Sequence, residues 1–95
     1  MPYFALETNC SMDSATKDGL LKKTSAFIAD LLGKSEGYVM VSIRSGADLI
    51  FGGSEAPAAF VQLKSIGLPG ERCSEWAGKI SAFLEEELGI SRDRV

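Results

Sequence analysis

One short pattern occurs twice in this chain, and it restricts the fold more than any other feature. Leu32-Gly33-x-Ser35-x-x-x-Val39 returns 56 positions later as Leu88-Gly89-x-Ser91-x-x-x-Val95, and each copy closes a segment of helical periodicity. A repeat of this kind marks a supersecondary unit used twice. The unit is β-α-β. Ser14 to Leu32 places Leu20, Leu21, Phe27, Ile28, Leu31 and Leu32 three and four residues apart, which is one apolar stripe of a helix, and Asp13 or Ser14 supplies its cap. From about Glu71 to Leu88 the stripe is Trp76, Ile80, Phe83 and Leu84. Gly33 and Gly89 then stand where helices stop.

The strands follow from the remaining β-formers. The first eight residues read as a strand, Tyr38 to Ile43 as a second, Asp48 to Phe51 as a short third and Ala58 to Ser65 as a fourth, with turns at Gly52-Gly53-Ser54 and Gly67-Leu68-Pro69-Gly70. The fold class is α/β in the α+β sense: tandem β-α-β units forming a small sheet with two helices on one face. Residues 1–95 form a single domain. By the symmetry of the repeat, a last strand is expected near Val95, so the domain reads as lacking a C-terminal strand. The central strands read as apolar on both faces. An apolar face left in water is an association site, and a homo-oligomer is expected.

Composition narrows the function. A net charge of −3 and the absence of any basic run interleaved with aromatics argue against nucleic acid. No apolar run is long enough to span a bilayer and no signal-peptide layout opens the chain, so the expected partners exclude membrane and the expected compartment is cytoplasmic. Without histidine, Ser-His and Cys-His activation and the commonest metal ligand are absent. Cys10 and Cys73 are not in a Cys-x-x-Cys arrangement and read as reduced thiols. Neither metal nor cofactor is expected.

Pro2 has two readings. Proline suits the first residue of a strand, where a missing N–H costs nothing. Alternatively, removal of Met1 leaves Pro2 with a free secondary amine, an acid–base group that the peptide-bonded nitrogen is not.

Several motifs together carry a family likeness: Met1-Pro2, the Leu-Gly-Lys-x-x-x-Tyr-Val-Met of Leu32 to Met40, Phe51-Gly52-Gly53-Ser54, Ser65-Ile66-Gly67 and Ile90-Ser91-x-Asp93-Arg94-Val95. Over essentially its whole length the chain resembles the macrophage migration inhibitory factor family, which includes D-dopachrome tautomerase and belongs to the tautomerase superfamily. The resemblance implies a β-α-β-β-α-β subunit assembling into a homotrimer, three sheets wrapped into a barrel with helices outside. It implies an isomerase, a cofactor-independent keto–enol tautomerase acting on phenylpyruvate-like aromatic 2-oxo acids. Pro2 matches the family's general base, Lys34 its active-site lysine, and Ile66 the residue whose backbone N–H contacts substrate; Ser65 and Lys64 lie beside it, and Tyr3 and Tyr38 are candidates for the ring pocket. Family members are also released extracellularly without a signal peptide, and animal members act as cytokines on a protein receptor.

The chemistry suits these residue types. Removing a proton next to a carbonyl needs a neutral base; a free α-amine titrates near ~8, and an apolar pocket and a nearby ammonium both disfavour its charged form. Lys34 would bind a carboxylate and the Ile66 N–H would add a fixed donor. Each residue has a plainer reading: Lys34 as a complement to a helix dipole, Ile66 as core, Tyr38 as a half-packed strand residue, Trp76 as core, and Glu85-Glu86-Glu87 as a solvated face. The chain departs from the family pattern where the C-terminal strand and tail supply pocket residues, and at Ala58-Ala59-Phe60-Val61, where some members carry Cys-x-x-Cys. A cytokine-like interaction module with a vestigial pocket is the alternative function; decarboxylation or dehalogenation of an unsaturated acid ranks third.

Overall fold

The computed structural model describes residues 2–65 and 72–95. Strand β1 (Tyr3–Thr8) leads into helix α1 (Ser14–Leu32), then β2 (Met40–Arg44), β3 (Ala59–Lys64) and helix α2 (Cys73–Leu88), with one-turn 3-10 segments at Glu36–Tyr38 and Arg92–Arg94. The sheet order is β2-β1-β3. β1 lies in the centre, parallel to β2 with Tyr3 opposite Met40, and antiparallel to β3 with Tyr3 opposite Lys64. The first β-α-β unit is therefore complete, and the second begins beside it in the opposite direction.

Strand alternation sorts the residues between two faces. Phe4, Leu6 and Thr8 point to the helices, as do Val41, Ile43, Val61 and Leu63, and they meet Leu20, Ile28, Ile80, Leu84 and Ile90 in one core. Phe27 of α1 stacks on Phe83 of α2, centroids 4.3 Å apart, which joins the helices into one layer. Trp76 is buried there, as its helical spacing predicts.

The helix ends follow local chemistry. The Asp13 carboxylate accepts from the Thr16 N–H at 2.8 Å and caps α1. At the other end Gly33, with φ 65°, lets the Lys34 N–H turn back to the Ala29 carbonyl at 3.0 Å. Gly89, with φ 71°, ends α2 with its N–H on the Glu85 carbonyl.

Three expectations are corrected. The strands are not apolar on both faces: away from the helices lie Tyr3, Ala5 and Glu7, then Met40, Ser42 and Arg44, then Phe60, Gln62 and Lys64. Arg44 reaches Glu7 on that face at 3.6 Å. Only Met40 and Phe60 expose substantial apolar surface there, so no continuous apolar face demands a partner. Second, β2 starts at Met40 rather than Tyr38. The Ser35 side chain accepts from the Gly37 N–H, and the Val39 N–H bonds the Glu36 carbonyl, holding Glu36–Tyr38 in a turn. Third, Asp48 to Phe51 is not a strand; only an isolated bridge joins Phe51 to Ser54 around Gly52 and Gly53.

Candidate active site

The topology decides which sequence-distant residues meet. Because β2 runs parallel to β1 and β3 antiparallel, the start of β1, the start of β2 and the end of β3 share one end of the sheet. Pro2 precedes β1 there, Lys34 to Tyr38 is the connection that enters β2, and Lys64 and Ser65 close β3. Five of the six candidate residues thus come to one end: Pro2, Tyr3, Lys34, Tyr38 and Ser65. Ile66 lies outside the described residues.

Pro2 is buried, and its carbonyl accepts from the Met40 N–H at 2.9 Å. That bond begins the β1–β2 ladder and fixes the residue at the boundary between core and rim. Having no N–H of its own, a proline costs the ladder nothing at this position. Lys34 sits one residue beyond the left-handed glycine and is exposed, and so is Lys64 across the sheet. Among the described residues neither lysine forms an ion pair with an Asp or Glu, whereas Lys23, Arg44, Arg72, Lys79 and Arg92 all do. Among the described residues, this end of the sheet therefore holds a buried proline and two lysines without an ion-pair partner.

The tyrosines separate. Tyr38, 69 % exposed, stands on the turn before β2 and is not a strand residue. Tyr3 points to the open face of the sheet, where it lines a depression of about 200 Å³ with Ser42, Arg44, Phe60 and Gln62. Sequence reasoning missed these four because it read β2 and β3 as apolar throughout. The signal was present in the alternation of Val-Ser-Ile-Arg and Val-Gln-Leu-Lys, with Met40 and Phe60 masking its start.

The opposite end of the sheet is clamped rather than open. The buried Thr8 hydroxyl donates to the Ala58 carbonyl at 2.7 Å, and the Asn9 amide oxygen accepts from the Ala58 N–H. Arg94 donates to the carbonyls of Phe51, Ser54, Ala56 and Pro57 at 2.8–3.2 Å and lies over the Phe51 ring. Thr8, Asn9 and Arg94 at that end are thus engaged with backbone, whereas Lys34 and Lys64 at the Pro2 end make no ion pair among the described residues.

Comparison with known proteins gives a consistent answer. The family described as macrophage migration inhibitory factor (MIF) matches residues 1–95. A macrophage migration inhibitory factor homolog of Brugia malayi is 41% identical over 95 residues, covering 99% of this chain and 82% of that protein. D-dopachrome decarboxylase-B of Xenopus laevis is 36% identical over 97 residues, covering 100% of this chain and 81% of that protein. Among solved structures, the macrophage migration inhibitory factor homologue from Prochlorococcus marinus superposes with a TM-score of 0.87 at 34% identity, covering 97% of this chain and 81% of that one.

Proposed function

The chain belongs to the macrophage migration inhibitory factor family, and from that premise we propose that it is a cofactor-independent keto–enol tautomerase of phenylpyruvate-like 2-oxo acids. The observation that carries this reading is the topology that puts buried Pro2 at the same end of the sheet as the exposed Lys34 and Lys64, neither of them ion-paired among the described residues. Removal of Met1 converts the Pro2 nitrogen from an amide into a secondary amine. Anchored through its carbonyl to Met40, the neutral amine takes the proton from the carbon between the ketone and the ring. The substrate carboxylate binds a lysine ammonium, with Lys34 the nearer in sequence to the β2 entry. Negative charge developing on the ketone oxygen is stabilised by the same positive field. The protonated amine then returns the proton to oxygen or carbon, so no net redox change occurs.

The similar D-dopachrome decarboxylases are compatible with this base at a neighbouring chemistry, because decarboxylation also passes through an enolate-like species. Assembly into a homotrimer belongs to the same proposal, with Phe60 and Met40, 55 % and 49 % exposed on the open sheet face, as the apolar contacts it would bury. A second reading, a cytokine-like module binding a protein receptor, is favoured by Ile50 and Phe51, exposed on a loop clamped in place by Arg94.

The deciding experiment pairs intact mass with turnover. Protein lacking Met1 should enolise phenylpyruvate, and Pro2→Gly should lose at least about a hundredfold in kcat, the scale of a missing general base, with unchanged circular dichroism. Undiminished turnover in Pro2→Gly sinks the tautomerase mechanism. Receptor binding that survives that substitution, without turnover in the parent, establishes the second reading instead.

A further inference from the structure

The open face of the sheet carries two cations, and the strand register treats them differently. Arg44 stands opposite Glu7 and reaches its carboxylate at 3.6 Å, so its charge is matched within the sheet. Lys64, at the Pro2 end of the same face, stands opposite Tyr3 instead. It is exposed, and among the described residues it forms no ion pair with an Asp or Glu.

The neighbour that replaces an acid is an aromatic ring. Paired strands lie about 4.8 Å apart, and directly opposite side chains on one face are within reach of each other, so Tyr3 and Lys64 rise from the sheet side by side. Tyr3 follows Pro2 directly and lines the depression of about 200 Å³ on that face. An aryl group lies well against the first of these side chains and an anion against the second. Lys34 belongs to another element: it follows Gly33 at the end of α1, the helix that packs on the opposite face. The two lysines therefore approach this end from different sides of the sheet.

We propose that Lys64 determines specificity at the Pro2 end: beside Tyr3 it selects acids that carry a second anionic group on the aromatic ring, so that the preferred substrates are dianionic aryl 2-oxo acids. The carboxylate next to the ketone goes to Lys34, and the anion at the far end of the ring goes to Lys64. An acid with a single carboxylate leaves Lys64 to water and gains nothing from it. For the reaction this inference rests on the tautomerase reading, while the selection of a second negative charge is a property of binding and is measured without turnover.

The test uses the whole chain freed of Met1 and two acids without a ketone, cinnamate and 4-carboxycinnamate, which differ only by the second carboxylate. Titrations followed by the amide resonances of Tyr3 and Lys64 give both affinities. The dianion should bind about fivefold more tightly, the scale of one exposed charge pair, and the ratio should shrink toward one at about 1 M salt. Lys64→Met keeps the aliphatic stem and should bring the ratio to about one, whereas Lys34→Met should weaken both acids and leave the ratio standing. Equal affinities in the parent, no binding of 4-carboxycinnamate, or a ratio that survives Lys64→Met overturns the proposal. Turnover is read separately, as kcat/KM for 4-carboxyphenylpyruvate against phenylpyruvate, with the same preference expected. If neither is enolised while the affinity ratio and its loss in Lys64→Met hold, the tautomerase reading fails and the selection by Lys64 stands.

Discussion

After its left-handed glycine the first half of the molecule carries Lys34, exposed to solvent, and the second half carries Ile90, completely buried in the core. Four residues on, Tyr38 stands free while its counterpart Arg94 is bound to four carbonyls. Both halves build the same turn, at Glu36–Tyr38 and at Arg92–Arg94. The turn therefore requires neither a lysine nor an exposed aromatic. The second half uses these positions for packing and the first leaves them exposed, so Lys34 makes no buried contact of the kind that holds Ile90.

Exchanging the residues across the halves is the strongest way to break this contrast. Ile90→Lys forces an ammonium into a fully buried site and removes core volume; a loss on the order of 4 kcal/mol or more is expected, enough to unfold a domain of this size. Urea denaturation measures it, and a loss below about 1 kcal/mol would mean that the two positions are not so different. The reverse exchange, Lys34→Ile, should leave stability within about 0.5 kcal/mol but lower kcat/KM for phenylpyruvate roughly tenfold or more, the scale of one charge-assisted contact. Equal activity would return Lys34 to the role of a helix-end cation.

The second pair sharpens the same point at smaller scale. Arg94→Ala removes a planar donor that ties residues 51–57 to the turn at Arg92–Arg94, and a loss of about 1–3 kcal/mol is expected together with faster amide exchange at Phe51 and Ser54. Arg94→Lys should recover little of it, because a point charge does not span several carbonyls as a guanidinium fork does. Tyr38→Ala, at the matching position, should stay within about 0.5 kcal/mol.

Much of this was legible in the residues. The bounds of α1 followed from its apolar stripe, Asp13 and Gly33, and the tandem units from a repeat of eight residues. The β2 boundary was not, because Tyr38 and Val39 are strong β-formers and only a Ser35 side-chain bond and a Val39–Glu36 bond hold them out of the strand. Strand propensity describes a side chain's fit to a pleated surface and is silent on such a local competitor. The open sheet face was misread for a related reason: Met40 and Phe60 hid the alternation that Ser42, Arg44 and Gln62 carry. Pro2, Lys34 and Ser65 were proposed as site residues from motifs, while their placement at one end of the sheet needed the parallel and antiparallel pairings, which no local pattern encodes.

The smallest expected effect separates the halves at their helix starts. Asp13 caps α1 through the Thr16 N–H, and that hydrogen bond holds its carboxyl below the ordinary carboxylate value. The first turn of α2 has no side-chain cap; there Glu75 is held low by Arg72 first and then by Lys79. A carboxyl whose folded-state pKa is depressed stabilises the fold above its unfolded pKa and loses that contribution as pH falls through the folded value. Both helix starts should therefore weaken in acid, below the normal range of a free carboxylate. Asp13→Asn keeps an acceptor for Thr16 without the titration, so its stability should fall less steeply across that window than the parent's. The two contributions differ in their response to salt. At about 1 M, where screening acts over roughly 3 Å, the Glu75 share should fade, whereas the Asp13 share, which depends on a short contact to a backbone N–H, should persist. Acid titrations of the parent, Asp13→Asn and Glu75→Gln at low and high salt resolve this, and identical salt responses in the two variants would show that the helix starts are stabilised in the same way after all.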